Sequence, residues 1–174
     1  MYNVRPYMSP CCCWHMPVYT GHSPMPYPQT NPNPNHFMPM QDYGNQPFVV
    51  NINEASQQNE TFRTVLWTGK HLQVTVMSIP PGGDVGLEVH PETDQFLRIE
   101  GGEGLVQMGS SEQQVDFEAR VVDDSAIFVP AGTWHNLTNT GPSPIKLYSI
   151  YAPPEHPFGT VHQTQADEMH NGYS

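Results

Sequence analysis

This chain of 174 residues predicts an all-β fold, a single antiparallel jelly-roll β-barrel, and three observations lead there. From Phe48 onward, short runs of alternating apolar and polar residues are separated by turns rich in Gly, Pro, Asn and Asp, at the spacing of about ten residues that sandwiches and barrels show. Two of these runs, Val65 to Thr68 and Leu72 to Ile79, are apolar on both faces, which calls for cover on both sides. Helical periodicity is almost absent: beyond a brief turn beginning at Asn53, only Gln165 to His170 reads as helix.

A break in composition divides the chain into a tail at 1–47, a barrel at 48–152 and a closing segment at 153–174. The tail holds ten of the nineteen prolines, six of the nine methionines, five of the eight tyrosines and all three cysteines, with Arg5 and Asp42 its only charges. Such a stretch cannot bury a hydrophobic face, so disorder is expected. Within it Cys11-Cys12-Cys13 reads as a reduced, exposed run, the alternatives being a soft-metal site or cross-links to other molecules. In composition the tail is similar to small coat proteins of bacterial spores, which implies a tether to an insoluble assembly.

The remainder carries sixteen acidic and five basic residues and with them the whole net charge of −11. Nucleic acid and anionic membrane surfaces both demand a basic patch, so neither is expected as a partner; solubility is reason enough for the charge. No cysteine lies in the barrel, so disulfides play no part in its fold. No apolar run is long enough to span a bilayer, and Pro6 and Pro10 interrupt the place where a secretion signal needs its apolar centre. The cytoplasm is the expected location, with the spore coat as the alternative that the tail's resemblance implies.

In order, Phe48 to Ile52 is predicted as the first strand. Val65 to Thr68 and Leu72 to Ile79 then join at Gly69-Lys70, with Gln73, Thr75 and Met77 on one face and Leu72, Val74 and Val76 on the other. In Pro80 to Gly104, Glu88 and His90 stand two apart, which on a strand places both on one face. Pro91 to Asp94 makes a tight turn, and Gln95 to Glu100 returns with Gln95 beside His90. Gly104 to Met108, Gln114 to Val122 and Ser125 to Val129 follow. The turn from Pro130 to Trp134 presents His135, and the last pair is His135 to Asn139 and Ile145 to Ala152. His156 and His162 in the closing segment read as surface histidines; the alternative is that the segment folds over the barrel mouth and hands one of them to the site.

Glu88, His90, Gln95 and His135 thereby form one cluster of donors. Two imidazoles, a carboxylate and an amide oxygen suit Mn, Fe, Co, Ni or Zn and not a soft ion. Four protein ligands on a six-coordinate ion leave two positions where substrate oxygens are polarised. Without a barrel cysteine or a Ser-His-Asp arrangement, a covalent mechanism has no support. Candidates for proton transfer or anchoring are Glu92, Arg98, Lys146, Tyr148 and Tyr151, although strand parity turns Arg98 outward if Gln95 points in. Met77, Phe96, Met108, Phe128 and Trp134 read as core packing.

At these residues the chain resembles the cupin superfamily. Of the second cupin motif, G-x5-P-x-G-x2-H-x3-N, Pro130, Gly132, His135 and Asn139 are present at full spacing, with Asp124 where the leading Gly would be. Of the first, G-x5-H-x-H-x3or4-E-x6-G, His90 and one of Gly101 or Gly102 are present, while Glu88 replaces the first His and Gln95 replaces the Glu. The resemblance covers about 48–151. It implies a one-domain jelly roll, a divalent metal on those four residues, and a homodimer paired through an edge strand, Phe48 to Ile52 or Val65 to Thr68. It also implies a metal-dependent isomerase, epimerase or dioxygenase acting on a small oxygenated substrate. A non-catalytic module that binds a small molecule and a structural, coat-type component stay open beside it, and a cavity closed to solvent by 153–162 would favour the structural reading.

Overall fold

The computed structural model of the protein describes residues 38–170. The readings made of residues 1–37, Cys11 to Cys13 among them, lie outside the described residues. Two helices and nine strands follow one another as α1 (Ile52–Gln58), β1 (Arg63–Thr68), β2 (Gln73–Ile79), β3 (Asp94–Gly101), β4 (Glu103–Gly109), β5 (Phe117–Val122), β6 (Ala126–Val129), β7 (Trp134–Asn139), β8 (Ile145–Ala152), β9 (Val161–His162) and α2 (Gln165–His170). A six-stranded sheet runs β6-β3-β8-β2-β1-β9 and a three-stranded sheet runs β5-β4-β7, with every pairing antiparallel. The sheets face each other as a jelly roll without closing into one continuous barrel.

Alternation places the core. Met77, Ile79, Leu97, Ile99, Ile127 and Leu147 from the large sheet meet Val106, Val121 and Leu137 from the small one, all buried. Each such side chain contributes roughly 1.5–3 kcal/mol through removal from water. A second cluster lies on the outer face of the large sheet, where Leu66 and Val76 are covered by Ala55 of α1 and by Met38, Met40, Tyr43, Phe48, Val50 and Ile52. Burial on both faces of β1 and β2 is therefore as their sequences required.

Three expectations change here. The stretch 38–47, assigned to the tail, is part of the folded body: Tyr43 N–H donates to the Leu66 carbonyl at 2.8 Å and Asn45 N–H to that of Thr68 at 2.9 Å. Phe48 to Ile52 is not a strand, because its backbone finds no ladder; Asn51 instead caps α1, its side chain accepting from Glu54 N–H at 3.3 Å. Phe96 and Phe128 are not core. Gln95 and Leu97 point inward, so Phe96 points out, where its ring meets Phe128, itself 69 % exposed, at 5.1 Å. The outer edge of β1 is occupied within the chain by 43–45, by β9 and by the Thr160 carbonyl, which accepts from Val65 N–H at 2.9 Å. No helix among the described residues is long and apolar enough to cross a membrane.

Candidate metal centre

The residues that precede β3 reach the small sheet as an irregular strand on β7. Val85 N–H donates to Leu137 O at 3.1 Å, and Glu88 and His135 exchange both backbone bonds, at 3.0 and 2.9 Å. Residues opposed in this way carry their side chains on one face. Val85, Glu88 and His90 are all buried although strict alternation would oppose 85 to 88; Gly86, at φ +86, absorbs the change of phase. The sequence placed Glu88 and His90 on a regular strand, and the real geometry is this bulged one. The turn after β6 fixes the other side: Gly132, at φ +76, donates its N–H to the His90 carbonyl at 2.8 Å. Asn139 ties down the far end of β7, donating to Ile79 O at 2.8 Å and Ser143 O at 2.9 Å. Asp124, where a glycine was expected, holds the left-handed φ of +67 that such a position demands.

These constraints bring three donors together. Glu88 Oε1 lies 3.4 Å from His90 Nε2 and 3.3 Å from His135 Nε2, and the three ligand atoms fall within 4.8 Å of one another. The opposite ring nitrogens are occupied. His135 Nδ1 donates to the Thr133 carbonyl at 3.0 Å, and His90 Nδ1 is 3.3 Å from Glu155 Oε1. With the proton on Nδ1, each imidazole turns an Nε2 lone pair into the site, the arrangement that metal-binding histidines adopt. Both Nε2 atoms and Gln95 Oε1 are buried without a hydrogen bond. Metal–ligand distances of about 2.1 Å set ligand pairs about 3.0 Å apart at an octahedral right angle and about 3.4 Å apart in a tetrahedron; the two contacts to Glu88, at 3.4 and 3.3 Å, fall in that range.

Gln95 is held by its nitrogen, which donates to Ser149 Oγ at 3.1 Å and Tyr151 Oη at 3.0 Å. It lines, with Glu88, His135, Arg63 and Asn136, a cavity of about 10 Å³ whose remaining walls are apolar side chains such as Met77, Leu97 and Val106. That is room for about one water-sized particle. Burial alone would raise the Glu88 carboxyl, but the imidazoles of His135 and His90 and the charge of Arg63 outweigh it and keep Glu88 ionised. His90 feels the converse: burial lowers it, while Glu88 and Glu155 together raise it above the ordinary imidazole value.

Of the five candidates for proton transfer or anchoring, only Tyr151 reaches the interior, fully buried with its ring edge-on to His90 at 5.5 Å. Arg98 pairs with Glu100 and Asp124 on the outside, as parity required. Glu92 is exposed at the hairpin tip, Lys146 reaches the Asn59 carbonyl on the outer face, and Tyr148 joins the outer cluster. The surface reading of His156 and His162 is overturned, since they are 5 % and 2 % exposed. The closing segment does fold inward, and what receives it is Arg63, a residue the sequence did not flag. Arg63 donates to Tyr151 Oη, to His156 Nε2 at 2.9 Å and to Glu168, whose nearer oxygen is at 3.0 Å. Its one signal was parity: two positions before the inward Val65, it had to face inward as well.

A guanidinium only donates, so His156 Nε2 accepts and the ring is neutral; burial and the Arg63 charge push its pKa down to about 2. A histidine depressed on folding leaves the unfolded chain with more protons below about pH 6.5, so stability falls with pH at up to about 1.4 kcal/mol per unit. Between pH 6.5 and 4.5 His156 is expected to cost roughly 2 kcal/mol. Urea titrations of the wild type and His156→Gln at both values check this. The variant should lose less stability on acidification by about that amount, and equal losses would refute the assignment.

The comparisons agree with the fold. The family model described as Cupin domain matches residues 75–151. The crystal structure of BH2720 from Bacillus halodurans superposes with a TM-score of 0.74 at 60 % identity, over 75 % of this chain and 98 % of that one. The uncharacterized protein YrkC of Bacillus subtilis is 67 % identical over 130 residues, covering 75 % of this chain and 70 % of the relative. The uncharacterized protein L612 of Acanthamoeba polyphaga mimivirus is 37 % identical over 118 residues, covering 67 % and 72 %.

Proposed function

Since the chain belongs to the cupin superfamily, we propose that it is a single-metal protein of the non-haem oxygenase type, its ion held by His90, His135 and Glu88 with the Gln95 amide oxygen as a fourth donor. The observation that carries this is the meeting of two imidazole Nε2 atoms at 3.3 and 3.4 Å from one carboxylate oxygen, with neither nitrogen hydrogen-bonded. Two histidines and one carboxylate with positions left open are the donor set of iron(II) oxygenases. When bound, such an ion supplies Lewis acidity and one-electron chemistry to whatever small molecule reaches its open positions.

The chain's own residues supply the rest. Ionised Glu88 offsets half of a divalent charge. Gln95, fixed by Ser149 and Tyr151, presents its carbonyl and not its amide nitrogen. The Tyr151 hydroxyl, raised by burial, stays protonated and offers a neutral donor beside the centre. The close packing around the donors, Arg63 and Asn136 included, keeps bulk water out, and a cavity of about 10 Å³ is too small for a sugar. That is why an oxygenase-type centre is favoured over a sugar isomerase or epimerase.

Anaerobic loading with iron(II), followed by nitric oxide as a dioxygen surrogate, tests the reading. One iron per chain and the high-spin iron–nitrosyl EPR signal are expected. Wild-type protein that takes up no stoichiometric iron would remove it. A second reading, a non-catalytic or structural cupin, is favoured by the cover that Glu155 and His156 lay over His90 and Tyr151; iron that binds but gives no nitrosyl signal would select it.

A further inference from the structure

The closing segment touches the donor set at one described contact, Glu155 Oε1 against His90 Nδ1 at 3.3 Å. Beyond Glu155 it is anchored to parts of the fold that hold no donor. His156 exchanges two bonds with the side chain of Gln73, at 2.8 and 2.9 Å. Gly159 N–H donates to Asp42 at 3.0 Å, and β9 pairs with β1. Glu155 is more exposed than its neighbour, at 24 % of its side chain against 10 % for His90. It stands at the rim, where the segment closes over the ring.

A neutral imidazole has one N–H. If the proton sits on Nε2, Nδ1 turns a lone pair toward the Glu155 carboxylate and the two repel. If it sits on Nδ1, the same contact is a charge-assisted hydrogen bond. An ion on Nε2 forbids the first state, and by drawing charge from the ring it makes the Nδ1 proton a better donor. Filling the centre and seating the segment therefore favour each other, and the coupling is reciprocal. We infer that Glu155 is a positioning residue that couples occupation of the His90–His135–Glu88 centre to closure of 153–162 over it. The inference rests on the proposed metal centre and adds to it a cover whose hold depends on the ion.

Cobalt(II) titration of the full chain, followed by its visible absorption at mildly alkaline pH, gives the affinity; hydrogen exchange of peptides spanning 153–164, with and without the ion, gives the closure. In the wild type the ion should slow exchange across that stretch. Glu155→Ala should weaken binding roughly 10- to 100-fold, as loss of a ligand's outer partner does, and should abolish the ion-dependent slowing. Glu155→Gln, whose carbonyl still accepts from Nδ1, should fall between the two. Wild-type protein that binds cobalt with no change of exchange over 153–164, or Glu155→Ala with wild-type affinity, overturns the coupling while leaving the metal centre standing. Wild-type protein that binds no cobalt removes the centre itself, and the titration separates the two failures.

Discussion

Replacing Arg63 by leucine should destabilise the protein by about 3–5 kcal/mol, the cost of breaking a buried ion pair from one side, and should lower Tm by about 10–15 °C for a chain of this size. Arg63 is 1 % exposed and its partner Glu168 5 % exposed, with contacts at 3.0 and 3.3 Å. Without the guanidinium the Glu168 carboxylate stays in a place where burial already raises its pKa despite the neighbouring cation. Tyr151 Oη and His156 Nε2 lose a donor at the same time. Attraction within the pair is largely offset by the desolvation of both charges, so the penalty belongs to the stranded carboxylate and not to the bond. The double variant Arg63→Leu/Glu168→Leu should therefore recover more than half of the loss. Thermal unfolding of wild type, single and double variants decides it: a single variant within 1 kcal/mol of wild type, by the roughly 2–4 °C that each kcal/mol is worth, or a double no better than the single, would contradict this account.

That network also marks where sequence reasoning ran out. The ladders of β2, β3 and β8 were legible because period-two alternation is local, and the same parity correctly turned Gln95 in and Arg98 out. Asn139 and Asp124 were legible by spacing. Phe48 to Ile52 misled for an instructive reason: its alternation is real, with Phe48, Val50 and Ile52 on the outer cluster and Val49 78 % exposed. Alternation reports a face, however, and not a hydrogen-bonded neighbour. Arg63 and Glu168 lie 105 positions apart, so no window of sequence joins them. His156 is buried where that distant guanidinium finds an acceptor in its Nε2, and His162 packs beside it at 6.3 Å. A proline-rich stretch without periodicity carries no local sign of such a partner.

With His90→Ala and His135→Ala combined, the apolar core between the sheets is untouched and the far-ultraviolet dichroism should keep its β signature, while divalent metal should fall to substoichiometric levels after dialysis. Glu88 and the Gln95 amide are the donors left, two oxygens with little hold on a late first-row ion, and the loss should exceed the roughly 10- to 100-fold that removing an outer partner costs. Acidity sharpens the test. His90 is raised on folding, so in the metal-free protein its stabilising contribution is complete below the ordinary imidazole value near pH 6.5 and fades as pH climbs through the raised one. An ion needs the Nε2 lone pair that this proton occupies. Metal should consequently lift Tm little in mildly acidic buffer and progressively more across that window, by the factor that mass action sets. The double variant should show neither the lift nor its pH dependence. Equal metal content in wild type and variant, or a lift in Tm that ignores pH, would place the ion somewhere other than between these two rings.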